Sequence, residues 1–218
     1  MPPEIWAVWP SANPKLAGEC IKLWKGAGYK TAVLFDHINE ISPEPDKVII
    51  GERWEGYPNA MNRLCREVPG EVVVCIGDDI RPPLEETPDV ILDKFKERFP
   101  DTFGVMQPTG DIFASIDLCC PCPWVGRAFI DESYSGNGPY WEGYFHYFSD
   151  QEIQEAAILM DAFQQRKNIS QYHDHWQRGK DGRPSHLDTA LANHKEDKRM
   201  FNLRQSNKFP GHERNPLS

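Results

Sequence analysis

Two rhythms of apolar and polar residues alternate through the first half of the chain. Residues 4–9 form a short apolar, aromatic run that ends at Pro10, the pattern of a strand feeding a loop over residues 10–14. Leu16, Ala17, Cys20, Leu23 and Trp24 then recur at helical spacing, and Gly26 and Gly28 stop that helix. Residues 31–35 predict a second strand closing on Asp36, and residues 47–50 a third. Pro58 opens a helix whose apolar stripe is Ala60, Met61, Leu64 and Cys65. The unbroken run of residues 71–76 is β-branched enough to predict a strand buried on both faces, as in a parallel sheet. Thr87-Pro88 starts another helix with Val90, Ile91 and Phe95 inward, and residues 103–106 predict one more strand. Strand and helix alternate with short connections, so the expected architecture is α/β: a mostly parallel central sheet with helices on both faces.

The regularity breaks beyond Asp111. Residues 117–148 are rich in Gly, Pro, Cys and aromatics, a composition for a large shaped loop region. Ser149-Asp150-Gln151-Glu152 reads as a capping box that opens a helix running to about Gln165. Residues 168–176 predict a strand, and the polar remainder is expected to be extended. This divides the chain into a domain over residues 1–176, with halves 1–110 and 111–176, and a polar C-terminal extension over 177–218.

Composition narrows the class. A chain of 218 residues with 7 Trp, 7 Tyr and 11 Phe has the material for one packed α/β core and is not a disordered sequence. No run approaches the roughly 20 apolar residues of a membrane span, and the N-terminus lacks a basic stretch followed by an apolar one. A cytoplasmic protein is the expectation. The 6 cysteines then read as free thiols. Cys119-Cys120-Pro121-Cys122 is too crowded for a zinc site and has no second pair at finger spacing. A net charge of -9 argues against a broad grip on nucleic acid, although basic residues gather after His194 in what reads as a solvated tail.

Candidate chemistry collects at two places. In an open parallel sheet, ligands bind beyond the carboxyl ends of the strands, where Asp36 and the pair Asp78-Asp79 both fall. Gly77 permits a tight turn there, and adjacent carboxylates suit Mg²⁺ or Mn²⁺ bridging to phosphate oxygens; a solvated acidic turn is the plainer reading. Tyr172-His173-Asp174-His175-Trp176 is the second. On a strand, His173 and His175 would face the same way and share a ligand, or simply sit exposed together. The aromatics Trp124, Tyr134, Tyr140, Trp141 and Tyr144 make either a small satellite core or a stacking wall, and Gly136-Asn137-Gly138 would let backbone approach a ligand.

These residues resemble the nucleotide-sugar domain of GT-A glycosyltransferases, in particular family-2-type enzymes and their small phage-borne members. Asp36 stands where that family places an acid on the nucleoside, and Asp78-Asp79 where it carries Asp-x-Asp. Gly56-Tyr57-Pro58-Asn59-Ala60-Met61-Asn62 resembles its glycine-to-asparagine helix opening. Two positions depart: Met61 replaces the usual arginine and Gly77 an acid. The resemblance covers residues 4–176 in order of elements. It implies a GT-A fold with an irregular acceptor-side region, and a metal-dependent transfer of sugar from a nucleoside diphosphate to a hydroxyl, inverting in outcome. Pro10, Ser11, Asp36, Asn59, Asn62, Asp78 and Arg127 would bind the nucleotide-sugar, a UDP-sugar ahead of a GDP-sugar. Asp79 with His173 or His175 would hold Mn²⁺ or Mg²⁺. Asp150 would be the base, with Glu142 in reserve. The acceptor would be a glycan, a lipid precursor or a modified DNA base. The alternatives are a nucleotidyltransferase on a similar fold and a non-catalytic nucleotide-sugar-binding module.

Overall fold

The computed structural model describes residues 4–36, 43–111, 119–178, 184, 186–212 and 214. Seven strands form one sheet: β1 (Ile5–Ser11), β2 (Lys30–Asp36), β3 (Lys47–Gly51), β4 (Val72–Cys75), β5 (Val105–Gly110), β6 (Trp124–Gly126) and β7 (Phe163–Ser170). Their order is β3-β2-β1-β4-β6-β5-β7. β6 runs antiparallel to both of its neighbours, and the other pairings are parallel. The carboxyl ends of β1, β2, β3, β4, β5 and β7 therefore share one edge of the sheet.

Alternation along the strands decides which helices cover which face. Ala7 and Trp9 of β1 with Val72 and Val74 of β4 pack against α1 (Pro14–Gly26) and α3 (Pro88–Arg98). Their neighbours Trp6, Val8, Val73 and Cys75 pack against α2 (Tyr57–Glu67), α4 (Arg127–Glu132) and α5 (Ser149–Leu159). β4 is buried at every position, as its β-branched run requires of a strand covered on both sides. The helical stripes hold with small rotations. Ala17, Cys20, Ile21 and Trp24 are buried in α1 while Leu16 and Leu23 lie at its rim, and in α3 Leu92 takes the inward place expected of Val90.

The second half departs from expectation in four ways. The region taken as loop contains β6 and α4; three residues are too few to carry a periodicity, yet β6 joins the two halves of the sheet. α5 ends at Leu159, and the strand begins at Phe163 and ends at Ser170, before the histidine motif. Ser149 is not a cap: Phe148 precedes α5 in a left-handed conformation, φ 70°, and the Ser149 hydroxyl donates to the His146 carbonyl. Glu152 is taken up elsewhere. The C-terminal extension contains a helix, α6 (His186–Ser206), whose Phe201 packs with Tyr144, Ala156 and the following Phe209.

Glu152 explains much of that docking. Its buried carboxylate accepts from the hydroxyls of Tyr134 and Tyr144, both at 2.6 Å, and from Arg204 Nη2 at 2.7 Å and Nε at 2.9 Å. Burying a carboxyl group this deeply is costly unless its oxygens are paired in this way. Phe209, His212 and Arg214 continue the docking beyond α6. His212 Nδ1 lies 3.0 Å from the Ser133 hydroxyl, and Arg214 pairs with Glu132 and Asp101. Burial drops the His212 pKa to about 4, so the ring is neutral at ordinary pH.

Candidate functional site

The acidic turn is built where β4 stops. The Ile80 amide donates to the Gly77 carbonyl at 3.2 Å, closing residues 77–80 into a turn. α1 braces it from below: the Trp24 indole N–H donates to the Ile80 carbonyl at 3.0 Å, and the Cys20 thiol lies 3.6 Å from the same oxygen. Gly77 serves space more than backbone freedom, because a Cβ there would meet Asp79 Oδ1 at 2.8 Å. An acid at that position would compete with Asp79 for the same volume. Asp78 turns toward β1, where the Ser11 hydroxyl donates to its Oδ2 at 2.7 Å and accepts from the Asn13 amide at 3.0 Å. Two strand ends, β1 and β4, are thereby joined through their side chains.

The segment after β7 crosses this turn. The Arg81 amide donates to the Tyr172 carbonyl at 2.9 Å and the Asp174 amide to the Asp79 carbonyl at 2.8 Å, with a bridge between Ile80 and His173. Arg81 also pairs with Asp174 at 3.1 Å. His173 Nε2 is consequently set 3.1 Å from Asp79 Oδ2. His173 and His175 do not share a strand face, since both follow the strand. Their rings still meet edge to face with centroids 4.9 Å apart, and burial together with the neighbouring His173 lowers the His175 pKa.

Among the described residues no group of three or more His, Cys, Asp or Glu side chains is arranged to hold a metal ion. The pair itself has suitable chemistry and spacing. Adjacent donors in an octahedral shell with bonds of about 2.1 Å lie about 3 Å apart, and Asp79 Oδ2 and His173 Nε2 are 3.1 Å apart. One oxygen and one nitrogen suit a cation such as Mn²⁺ that takes its remaining ligands from water and phosphate.

At the same edge, beyond β2 and β3, lies a cleft of about 220 Å³. Leu34, Ile50, Trp54, Asn59 and Arg63 are among the residues that line it. Asp36 is the last residue of β2, and its side chain lies outside the described residues. Pro10 stands in register with Leu34, one strand away from the cleft's wall. Asn59 reaches the cleft while its amide donates to the Glu55 and Glu142 carbonyls.

Two predicted ligands are committed elsewhere. Asn62 is fully buried and clamps a loop, donating to the Tyr140 carbonyl at 2.7 Å and accepting from the Tyr140 amide at 3.0 Å. The close approach allowed by Gly138 is to this side chain: a Cβ there would sit 2.7 Å from Asn62 Oδ1. Arg127 lies at the opposite edge of the sheet, beside the start of β4. Its guanidinium donates to the carbonyls of Cys65, Val68 and Gly70, tying off the end of α2. Asn62 is sealed in the interior and Arg127 sits at the far edge, so neither stands at the strand ends where a nucleotide would lie.

Asp150 stands in the first turn of α5. Its Oδ1 accepts from the Gln151 amide at 3.0 Å, the Cys119 thiol bonds its carboxyl, and the Cys120 amide donates to its carbonyl at 3.1 Å. Burial raises the Asp150 pKa above the ordinary carboxylate range. Burial pushes the Cys122 thiol up, and the Asp79, Cys119 and Asp150 charges add to the shift. Glu142 is exposed and pairs with Arg66 at 3.6 Å. Tyr140, Tyr144 and Trp124 are buried, making core of most of the aromatic cluster; Trp141 is half-buried under Arg204. All six cysteines are free thiols, with Cys65 and Cys75 in contact at 3.7 Å. Arg81 has no signal in the sequence, because its role comes from a chain crossing that no local spacing announces.

No protein-family model and no curated protein matches the chain. Solved structures do. A mannosyltransferase, PcManGT from Pyrobaculum calidifontis, in complex with GDP-Man and Mn²⁺, superposes with a TM-score of 0.58 at 13% identity, over 79% of this chain and 57% of its own. TarS residues 1–349 of S. aureus in complex with UDP gives 0.56 at 13% identity, over 78% and 59%. The same protein with UDP-GlcNAc gives 0.55 at 12% identity. The chain thus spans under three fifths of the proteins it resembles. With a sheet of this order, helices on both faces and the site edge at the carboxyl ends of the strands, it has the GT-A fold.

Proposed function

We propose that the chain is a glycosyltransferase that moves a sugar from a nucleoside diphosphate to a hydroxyl acceptor. The observation that carries this reading is the turn at the end of β4, with Ser11 on Asp78 and His173 on Asp79. It shares its sheet edge with the cleft beyond β2 and β3, with β1 between them, and ligands of open parallel sheets bind at that edge. In this reading the base and ribose occupy the cleft between Leu34, Ile50 and Trp54, with Asp36 at its rim and Asp78 toward the ribose. The diphosphate then runs along the sheet edge toward Asp79. Asp79 and His173 would hold Mn²⁺ or Mg²⁺, which neutralises charge on the departing diphosphate.

Asp150 supplies the base. The acceptor oxygen forms a bond to the anomeric carbon while the carbon–oxygen bond to the diphosphate breaks, its electron pair leaving with the diphosphate. The acceptor proton passes to the Asp150 carboxylate. Attack from the side opposite the leaving group inverts the anomeric centre. The hydrogen bonds from Gln151 and Cys119 orient the carboxylate, and the start of α5 favours its ionised form.

Thermal unfolding with UDP and GDP, each with and without Mn²⁺, tests donor and cation together. A ligand at 100 times its Kd stabilises the native state by about 2.7 kcal/mol, enough to move the midpoint by several degrees. A Mn²⁺-dependent rise is expected with at least one nucleotide, and Asp79→Ala should remove its Mn²⁺ dependence. No response to either nucleotide, with or without the cation, would overturn the proposal. PcManGT and TarS are the precedents for the two nucleotides, as structures with GDP-Man and with UDP.

A further inference from the structure

One stripe of α6 touches the acceptor half at every turn. His194, Asp197, Phe201 and Arg204 follow at intervals of three, four and three residues, the spacing of a single helix face. His194 lies edge to face on Tyr147, centroids 4.9 Å apart, and against Phe148 at 5.3 Å. Phe201 stacks on Phe148 at 5.3 Å, and Arg204 grips Glu152 one turn into α5.

Asp197 is the unusual member. Its carboxylate is 3% exposed and accepts three consecutive backbone amides: Phe145 at 2.8 Å, His146 at 3.0 Å and Tyr147 at 2.9 Å. Three charge-assisted bonds from adjacent amides fix a segment more firmly than any one side-chain contact could. The next residue, Phe148, is held at φ 70°, a conformation that costs a bulky side chain of order 1 kcal/mol or more. Asp150 stands two residues further on, where α5 begins. The chain therefore runs without slack from the Asp197 carboxylate, through a strained aromatic, to the acid of the first helical turn.

We infer that α6 is a working part of the acceptor half and that Asp197 is a positioning residue, setting residues 145–148 so that Asp150 is held at its half-buried place beside Cys119. A carboxylate tied only by a merely structural bond would protect the fold and leave Asp150 indifferent to its loss. The geometry instead passes any slack at residues 145–147 directly to Asp150. The inference rests on the reading of Asp150 as the transfer base.

The test is the titration of the Asp150 carboxyl in the full chain, followed by NMR with ¹³C-labelled aspartate and assigned with Asp150→Asn. Asp197→Asn keeps shape but removes charge and one acceptor; Asp197→Glu keeps the charge and displaces it by a methylene. The Asp150 titration should fall toward the ordinary carboxylate range in Asp197→Asn and by less in Asp197→Glu. Amides 145–147 should exchange about tenfold faster or more in Asp197→Asn, as losing a bond to a charged acceptor implies. Lys198→Ala, exposed on the same helix, should change neither. An Asp150 titration identical in wild type and both Asp197 variants overturns the inference. UDP and GDP thermal shifts with Mn²⁺ run alongside. Their absence in wild type would sink the glycosyltransferase reading on its own, whereas a preserved shift in the variants beside a moved titration separates positioning from donor binding.

Discussion

Asp150 carries opposed demands that its surroundings balance. Withdrawal from water favours its neutral form, while the Gln151 amide and the Cys119 thiol hold the carboxylate in place. As the folded pKa is raised above the unfolded value, the native state binds a proton the unfolded chain has released. Stability from this group is therefore present below the unfolded pKa and lost as pH climbs through the folded one. Asp150→Asn should abolish sugar transfer, yet its stability relative to wild type should improve as pH rises through that window. Parallel urea titrations at several pH values read the second effect without any substrate. A stability gap constant across pH would show that Asp150 is not held by burial. At this scale the sequence located the strand ends beside which Ser11, Asp78 and Asp79 stand, because a run of β-branched residues locates an end. It could not disclose that Asn62 and Arg127 are spent on backbone carbonyls, since a polar residue on a helix looks the same whether it faces a ligand or a loop. Asp36 stands at the expected edge.

The elements of the second half turn on one ion pair. Serine followed three residues later by glutamate is the signature of a capping box, and here the same glutamate is withdrawn into the interior by Arg204, Tyr134 and Tyr144. A local motif lost to a partner 52 residues away, which is a tertiary override that no window of sequence contains. Arg204→Met should cost about 3–5 kcal/mol, because it leaves a buried carboxylate with only neutral donors. A lower urea midpoint with an unchanged slope would report it. Glu152→Gln in the same background should recover part of the loss, whereas equal destabilisation by the single and double variants would refute the account. The stripe of His194, Asp197, Phe201 and Arg204 was present in the sequence as helical spacing. It went unread because the residues are mostly charged or polar and therefore leave little apolar periodicity.

For the whole molecule, the alternation of strands and helices was enough to predict the mostly parallel sheet and its two helical layers. The three-residue β6 was not, although it makes the antiparallel seam between the two halves. The crossing of residues 172–174 over the β4 turn has a kinetic consequence. Ser11 and Asp78 belong to strands that are direct neighbours, but Asp79 and His173 are separated by 94 residues. Closing so long a loop costs entropy that is recovered only after β5, β6 and β7 are in register. The cleft beside β2, β3 and α2 needs none of those later strands in register. During refolding, pulse-labelled amides of β1 and β2 should gain protection before those of Arg81 and Asp174, and simultaneous protection would contradict this order. On the proposed function, a chain that has just begun to fold would form its nucleoside cleft before its histidine–carboxylate pair, so the capacity to bind would precede the capacity to react.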